Sequence, residues 1–139
     1  MPVRFIPKAG AILMCDYPSC FVAPEMVKAR PVIVVSPVLP GRSGLVTVVP
    51  ISGSRPSPLR EYHCELPSSV LPSFMRLDGE SRWAKCDMVN ALSLERLSPV
   101  HGPRDPMTRK RTYEYLALPA DLLESVRKGI AKSLGISVE

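Results

Sequence analysis

Apolar residues in this chain follow two different periods. As far as residue 118 they come in short, strand-like runs, and beyond it they recur every three or four positions. GAILMCD (10–16) reads as a first strand. PVIVVS (31–36) is almost continuously apolar and β-branched, the pattern of a central strand covered on both faces. Between them, 17–29 has two prolines and no clear period, so a long loop is expected. LPGRSG (39–44) is turn punctuation, and LVTVVPIS (45–52) gives another strand. Pro50 donates no ladder hydrogen bond, so that strand should lie at an edge or bend there. GSRPSP (53–58) is a loop, YHCEL (62–66) a short strand, and PSSVLPSF (67–74) too proline-bounded for more than one helical turn. WAKCDMV (83–89) and SLERL (93–97) read as strands with Asn90 at a turn between them. HGPRDPMTR (101–109) reads as a loop, and KRTYEYLAL (110–118) as a last strand alternating at Tyr113, Tyr115 and Ala117.

The helical period begins at Pro119. Leu122, Leu123, Val126, Ile130 and Leu134 share one stripe; Pro119 or Asp121 suits the first turn, Arg127, Lys128 and Lys132 lie later, and Gly135 sits where a C-cap belongs. Six or seven short strands closing on one C-terminal helix predict a mainly β fold, a small, strongly bent barrel rather than an open sheet. The lack of βαβ alternation argues against a doubly wound fold. At 139 residues one domain is expected, with the barrel over about 8–118 and the helix over about 119–134. Sixteen prolines and eight glycines indicate short elements joined by stiff, irregular loops.

No apolar run approaches the ~20 residues of a membrane helix, and MPVRFIPKAG lacks the apolar core of a signal peptide. A cytoplasmic protein is therefore expected. Cys15, Cys20, Cys64 and Cys86 show no zinc-type spacing and read as buried or half-buried thiols in a reducing compartment, with no metal or cofactor. Lys plus Arg exceeds Asp plus Glu by 18 − 13 = 5, and the pI is about 9.2, a balance that suits a polyanion such as nucleic acid. Within that frame two polar insertions in apolar runs stand out. Arg30 opens the RPVIVVSP run, and Lys85 and Asp87, two apart, would share one face of a strand. A cation and a carboxylate side by side, with a second cation at another strand's mouth, suit acid–base chemistry on a phosphodiester.

Four blocks together resemble the PemK/MazF family of bacterial toxin–antitoxin ribonucleases. They are GAILMCD (10–16), PEMVKARPVIVVSP (24–37), LVTVVPIS (45–52) and WAKCDMVNALSLERL (83–97), spread over roughly residues 8–135. The RP strand followed at this interval by the VPIS strand is their most specific part. The resemblance implies an SH3-like (MazF/CcdB-type) barrel with a C-terminal helix and metal-free cleavage of single-stranded RNA. The products would be a 2′,3′-cyclic phosphate and a 5′-hydroxyl. It also implies a homodimer, silenced by a cognate antitoxin whose extended acidic tail fills the RNA groove.

By the same resemblance Arg30 matches the arginine of the RP motif, a fork for two phosphate oxygens. Ser52 matches the Ser/Thr whose hydroxyl could hydrogen-bond the scissile phosphate or the 2′-oxygen. Asp87 matches the aspartate of the Kid-like branch, as base or as the group orienting the acid. Lys85 stands where that branch has arginine, and lysine can release a proton where arginine does not. Glu25 matches the loop glutamate, which shapes the loop or shares the acid–base role. Pro24 occupies a position where some members carry histidine, so a mechanism relying on that histidine does not transfer. Lys28, Arg55 and Arg60 are candidate RNA-backbone contacts. Arg104, Arg109, Lys110 and Arg111 form a basic cluster that reads equally as phosphate contacts or as a solvated loop. Trp83 reads as core or dimer contact, His63 as a strand-surface residue and His101 as a loop residue, neither histidine with a partner. Two other classes stay open: a non-catalytic, CcdB-like poison of DNA gyrase, and a degenerate barrel that only binds RNA or protein.

Overall fold

A computed structural model describes residues 3, 5–16, 22–25, 29–72 and 81–137. Its elements are strands β1 (Ala11–Cys15), β2 (Arg30–Val34), β3 (Leu45–Ser52), β4 (His63–Leu66), β5 (Arg82–Lys85), β6 (Asn90–Ser93), β7 (Leu97–Arg104), β8 (Arg111–Glu114) and β9 (Leu116–Ala117), then helix α1 (Ala120–Ser133). The strands run β4-β5-β3-β2-β1-β7-β8 through one antiparallel sheet, with β6 added on β3 and β9 on β1. The mainly β class and the single C-terminal helix are as expected. There are nine strands rather than six or seven, and the path from β4 to β8 does not close into a barrel.

The near-continuous apolar runs are explained by a core on each face. Along β2, Val32 and Val34 point into one cluster, with Leu13, Cys15, Val46, Val48, Leu92 and Leu97. Ile33 and Val35 point into the other, with Ile12, Val49, Ile51, Ala84, Cys86 and Val126. Strand alternation thus fills both sides with the same residue types. β3 pairs with β2 on one side (Val32↔Pro50 to Val34↔Val48). On its other side it pairs with β6 over Leu45–Val48, and then with β5 at Ile51 and Ser52. Pro50 falls between those two ladders, so the strand turns from one partner to the next where it has no N–H to give.

Other local readings are corrected. WAKCDMV is not one strand: β5 ends at Lys85 and Cys86–Met88 form a 3₁₀ turn. Asn90 starts β6 instead of making a turn, and SLERL is mostly a 3₁₀ turn, Leu94–Arg96, capped by Ser93 Oγ accepting from the Glu95 N–H at 3.2 Å. The first four residues of the 101–109 loop are strand instead, since β7 runs to Arg104 with a register irregularity between His101 and Arg104 that accommodates Pro103. The last strand breaks at Tyr115 into β8 and β9. Ser68–Val70 is the single 3₁₀ turn expected, while 73–74 lie outside the described residues, as does Cys20.

The helix ends in a left-handed cap. Gly135, at φ 75°, donates its N–H to the Lys132 carbonyl at 3.1 Å, and Ile136 donates to Ala131 at 2.8 Å. Leu134 is 63% exposed and drops out of the apolar stripe. Arg127 ties α1 to the end of β2, donating from Nε and Nη2 to the Val35 carbonyl at 3.1 and 2.9 Å. No helix among the described residues is long and apolar enough to cross a membrane.

Helix α1 packs tightly against the turn after β5 at Gly129. A Cβ there would stand 2.8 Å from Cys86 Sγ and 2.9 Å from the Tyr62 carbonyl oxygen. Alanine normally favours a helix interior by ~1 kcal/mol; here overpacking, about 1–3 kcal/mol, opposes it. Gly129→Ala should therefore lower stability, by on the order of 1 kcal/mol in urea unfolding; an unchanged or raised midpoint would mean that the helix sits further out.

Under that glycine the Cys86 thiol is pushed up to about 12, chiefly by burial and further by the neighbouring Cys64 and Asp87. The folded state thus holds a proton that the unfolded chain releases near 9.0. The resulting stabilisation is complete below the unfolded value and is lost as pH rises towards the folded one. Wild-type stability should fall across that window by up to about 1.4 kcal/mol per pH unit more than that of Cys86→Ala. Parallel urea midpoints for the two proteins would contradict this.

Candidate functional site

The register builds a polar strip across one face of the sheet. Ser52 is opposite Trp83, and Trp83 opposite Glu65. The β2–β3 ladder reaches Val32↔Pro50, and the same register continued by two residues sets Arg30 opposite Ser52. Residues opposite one another in an antiparallel pair share a face, so Arg30, Ser52 and Trp83 form one row at the end of the core strands. Lys85, opposite His63, lies one row further along, about 7 Å away by strand rise.

Two members of the first row, half-buried Arg30 and buried Ser52, are incompletely partnered. Arg30 Nε is buried without a hydrogen-bond partner among the described residues. Ser52, 3% exposed, accepts the Ser54 N–H at 3.2 Å, and its own O–H has no acceptor among the described residues. A buried guanidinium nitrogen left unmatched costs free energy that an incoming oxyanion would recover. Trp83 is 7% exposed, in keeping with a core role, and Arg55 stands over its ring at 5.9 Å. Arg82, one residue earlier and 4% exposed, went unnoticed in the sequence. Its Nη1 lies 3.7 Å from where a Gly53 Cβ would be, packing a buried cation beneath the loop that follows Ser52.

The expected Lys85–Asp87 couple is not formed. Because Cys86–Met88 turn, Asp87 leaves the strand, and it makes no ion pair with Lys85. Its partner is His63, whose Nε2 is 3.9 Å from Asp87 Oδ1, in ion-pair range but beyond hydrogen-bond length. His63 also accepts the Arg60 N–H at Nδ1, at 3.0 Å, and its ring packs 4.6 Å from Tyr62. The discounted histidine is thus held on both sides. The Arg60 contact is a local turn three residues long, but the Asp87 contact left no local signal, because it depends on how β4 pairs with β5.

Other candidates are not drawn in. Glu25 is exposed, with its N–H bonded to the Val22 carbonyl at 2.9 Å, and forms no ion pair with Arg30. The Arg60 side chain is exposed, and Lys28 lies outside the described residues. His101 lies in β7 rather than in a loop, with Nδ1 3.3 Å from the Pro99 carbonyl. Cys15 and Cys86 are buried and Cys64 is half-buried. Among the described residues no three His, Cys, Asp or Glu side chains gather as a metal site requires.

A bent antiparallel sheet backed by one C-terminal helix is the MazF-toxin fold. The structure is similar to Form-I MazF of Deinococcus radiodurans, with a TM-score of 0.61 at 21% identity over 95% of this chain and 99% of that one. It is similar also to a mycobacterial endoribonuclease solved with its cognate antitoxin, with a TM-score of 0.59 at 18% identity over 96% of this chain and 100% of that one. In sequence, YifN of Escherichia coli K12 is 31% identical over 154 residues, covering 96% of this chain and 95% of that protein. An uncharacterized protein of Haemophilus influenzae is 33% identical over 141 residues, 94% of this chain and 92% of that one. Residues 8–134 match the PemK-like, MazF-like toxins of type II toxin–antitoxin systems, and the chain belongs to that family.

The His63 environment has a direct signature. With Nδ1 accepting from the Arg60 backbone, neutral His63 must carry its proton on Nε2, facing Asp87. Nitrogen-15 NMR of the neutral ring should show that tautomer, and the Nδ1–H form would refute the arrangement.

Proposed function

We propose that this protein is the toxin of a type II toxin–antitoxin pair and acts as a metal-independent endoribonuclease on single-stranded RNA. The nucleophile is the RNA's own 2′-hydroxyl. Asp87 takes its proton as the 2′-oxygen bonds to phosphorus, the bond from phosphorus to the 5′-oxygen breaks, and the Lys85 ammonium protonates the departing oxygen. The products are a 2′,3′-cyclic phosphate and a 5′-hydroxyl. Arg30 and the Ser52 hydroxyl bind the phosphate oxygens, where charge builds. His63 acts as a positioning residue for Asp87, and Arg55 and Arg60 follow the RNA backbone. DNA is spared because it lacks the attacking hydroxyl.

The observation that carries this reading is the buried Arg30 Nε, unmatched in a row with the Ser52 hydroxyl at the end of the core strands. Membership of the toxin family supports the same chemistry. The reading extends to a cytoplasmic homodimer, neutralised by an antitoxin whose acidic segment competes for the same cations. Glu25 and Lys28, five and two residues before Arg30, are proposed as further contacts to the RNA.

Incubating the purified protein with mixed-sequence RNA in EDTA tests this. Cleavage to cyclic-phosphate ends, with single-stranded DNA left intact, is expected. Arg30→Ala should lower the rate by at least ~100-fold and relieve growth arrest without unfolding the chain. Intact RNA with wild-type protein, or full cleavage by the variant, would overturn the assignment. Intact RNA alongside stalled gyrase would favour the non-catalytic alternative.

A further inference from the structure

The β7–β8 hairpin carries charge that the cleavage site does not use. Arg104, Arg109, Lys110, Arg111 and Tyr113 line an open cleft of about 350 Å³. Residues 104–111 (RDPMTRKR) hold four cations and one carboxylate, 4 − 1 = +3. All four cations are exposed, and none pairs with a carboxylate of the described residues. Asp105 is spent on the turn itself: its carboxylate accepts the N–H groups of Met107 at 2.7 Å and Thr108 at 3.1 Å. The turn is further fixed by the Arg109 N–H to the Asp105 carbonyl at 2.7 Å and by the Asp105 N–H to the Lys110 carbonyl at 2.8 Å. Arg109 is held at φ 59°, a conformation that arginine adopts only where its surroundings impose it. The cations are thus presented on a set frame, with the local acid bonded to the turn and paired with none of them.

We propose that this cleft is a second binding site for single-stranded RNA, holding phosphates on the three guanidiniums and Lys110 and stacking a base on Tyr113. Guanidinium forks match phosphate oxygens. Tyr113 is 44% exposed and backed by the His101 ring at 5.8 Å, so it offers a supported π-face beside the charges. Cations interleaved with an aromatic platform suit a nucleotide chain. An acidic protein segment could meet the same cations but carries no base to stack on the Tyr113 ring.

The site also has a defined place along the sheet. Leu97 pairs with Cys15, and Cys15 with Arg30. Arg104 is 104 − 97 = 7 residues further along β7, at most roughly 23 Å of strand. One RNA of moderate length can reach both places. The inference rests on the reading that RNA is the substrate, and it makes the hairpin a tether outside the cleavage site.

Binding of a labelled, uncleavable 2′-O-methyl RNA of about 20 nucleotides tests this. Between about 50 and 200 mM salt, R104Q/R109Q/K110Q/R111Q should bind at least ~10-fold more weakly than wild type, with the log–log salt slope shallower by about 3. The milder R109Q/K110Q should show about half that change in slope, and Tyr113→Ala should weaken binding with the slope unchanged. Unchanged affinity and slope in both basic variants would overturn the proposal. So would polyglutamate displacing the RNA at lower charge concentration, which would point to an acidic protein partner. Since the readout is binding, wild type that binds through these residues yet cuts no RNA would sink the nuclease reading and leave this one standing. Normal cleavage with unaltered binding by the variants would sink this one alone.

Discussion

The structure turns on β3 and on the proline within it. A strand in mid-sheet needs a partner on each side, and β3 is served by β2 along one side from Val48 to Pro50. On the other side it must change partner, from β6 at Val48 to β5 at Ile51, and Pro50 lies at the change. A proline there leaves no N–H stranded in the gap between two ladders. With two strands sharing one side of β3 at different heights, the sheet cannot remain flat. It folds so that the even-numbered residues Val46 and Val48 enter one core and the odd-numbered Val49 and Ile51 enter the other. The second core is capped by α1, and the first by the chain returning through Leu92 and Leu97.

The same constraint sets the polar strip. β3 runs out of apolar residues at Ser52, and β2 begins with Arg30 in the matching register, so the two core strands end in a polar pair. On the β5 side the chain cannot continue straight past Lys85. Cys86 has to turn inward under Gly129, where the helix leaves no room for even a methyl group. That inward turn throws Asp87 outward, to 41% exposure, and towards His63 on the adjacent strand. A packing demand of the core thereby decides which residue the carboxylate faces.

This explains what was legible in the sequence. β2 and β3 could be read because burial on both faces leaves a mark that needs no knowledge of partners. α1 could be read because its period, first-turn acid and terminal glycine all agree. The stretch from Trp83 to Val89 could not. Alternation of apolar and polar residues fits a strand as well as a strand followed by a 3₁₀ turn, and the deciding contact comes from Gly129, more than forty positions away. The 101–109 segment was misread for the opposite reason. Pro103 and Gly102 signal a break locally, yet an edge with an irregular register tolerates both. At the site, Arg30 and Ser52 were legible as residues but Arg82 was hidden, because alternation gave no warning that a cation would be buried beneath the next loop.

The departure at Lys85 acquires a physical sense from this geometry. A guanidinium at that position could grip the aspartate two residues later with a fixed fork, whereas an ammonium on a flexible stem gives little directional hold. In this chain Lys85 has no ion-pair partner among the described residues, and Asp87 is set against an imidazole whose far nitrogen is tied to the Arg60 backbone. A side chain hydrogen-bonded at Nδ1 and 8% exposed has little rotational freedom to lose when substrate arrives. Under the proposed reaction the two tasks separate: His63 holds the carboxylate, and Lys85 is left mobile enough to follow a departing oxygen. Orientation that a fork would supply within one strand is supplied instead across the β4–β5 ladder, so the fidelity of that pairing matters as much to the chemistry as the identity of the residues it joins.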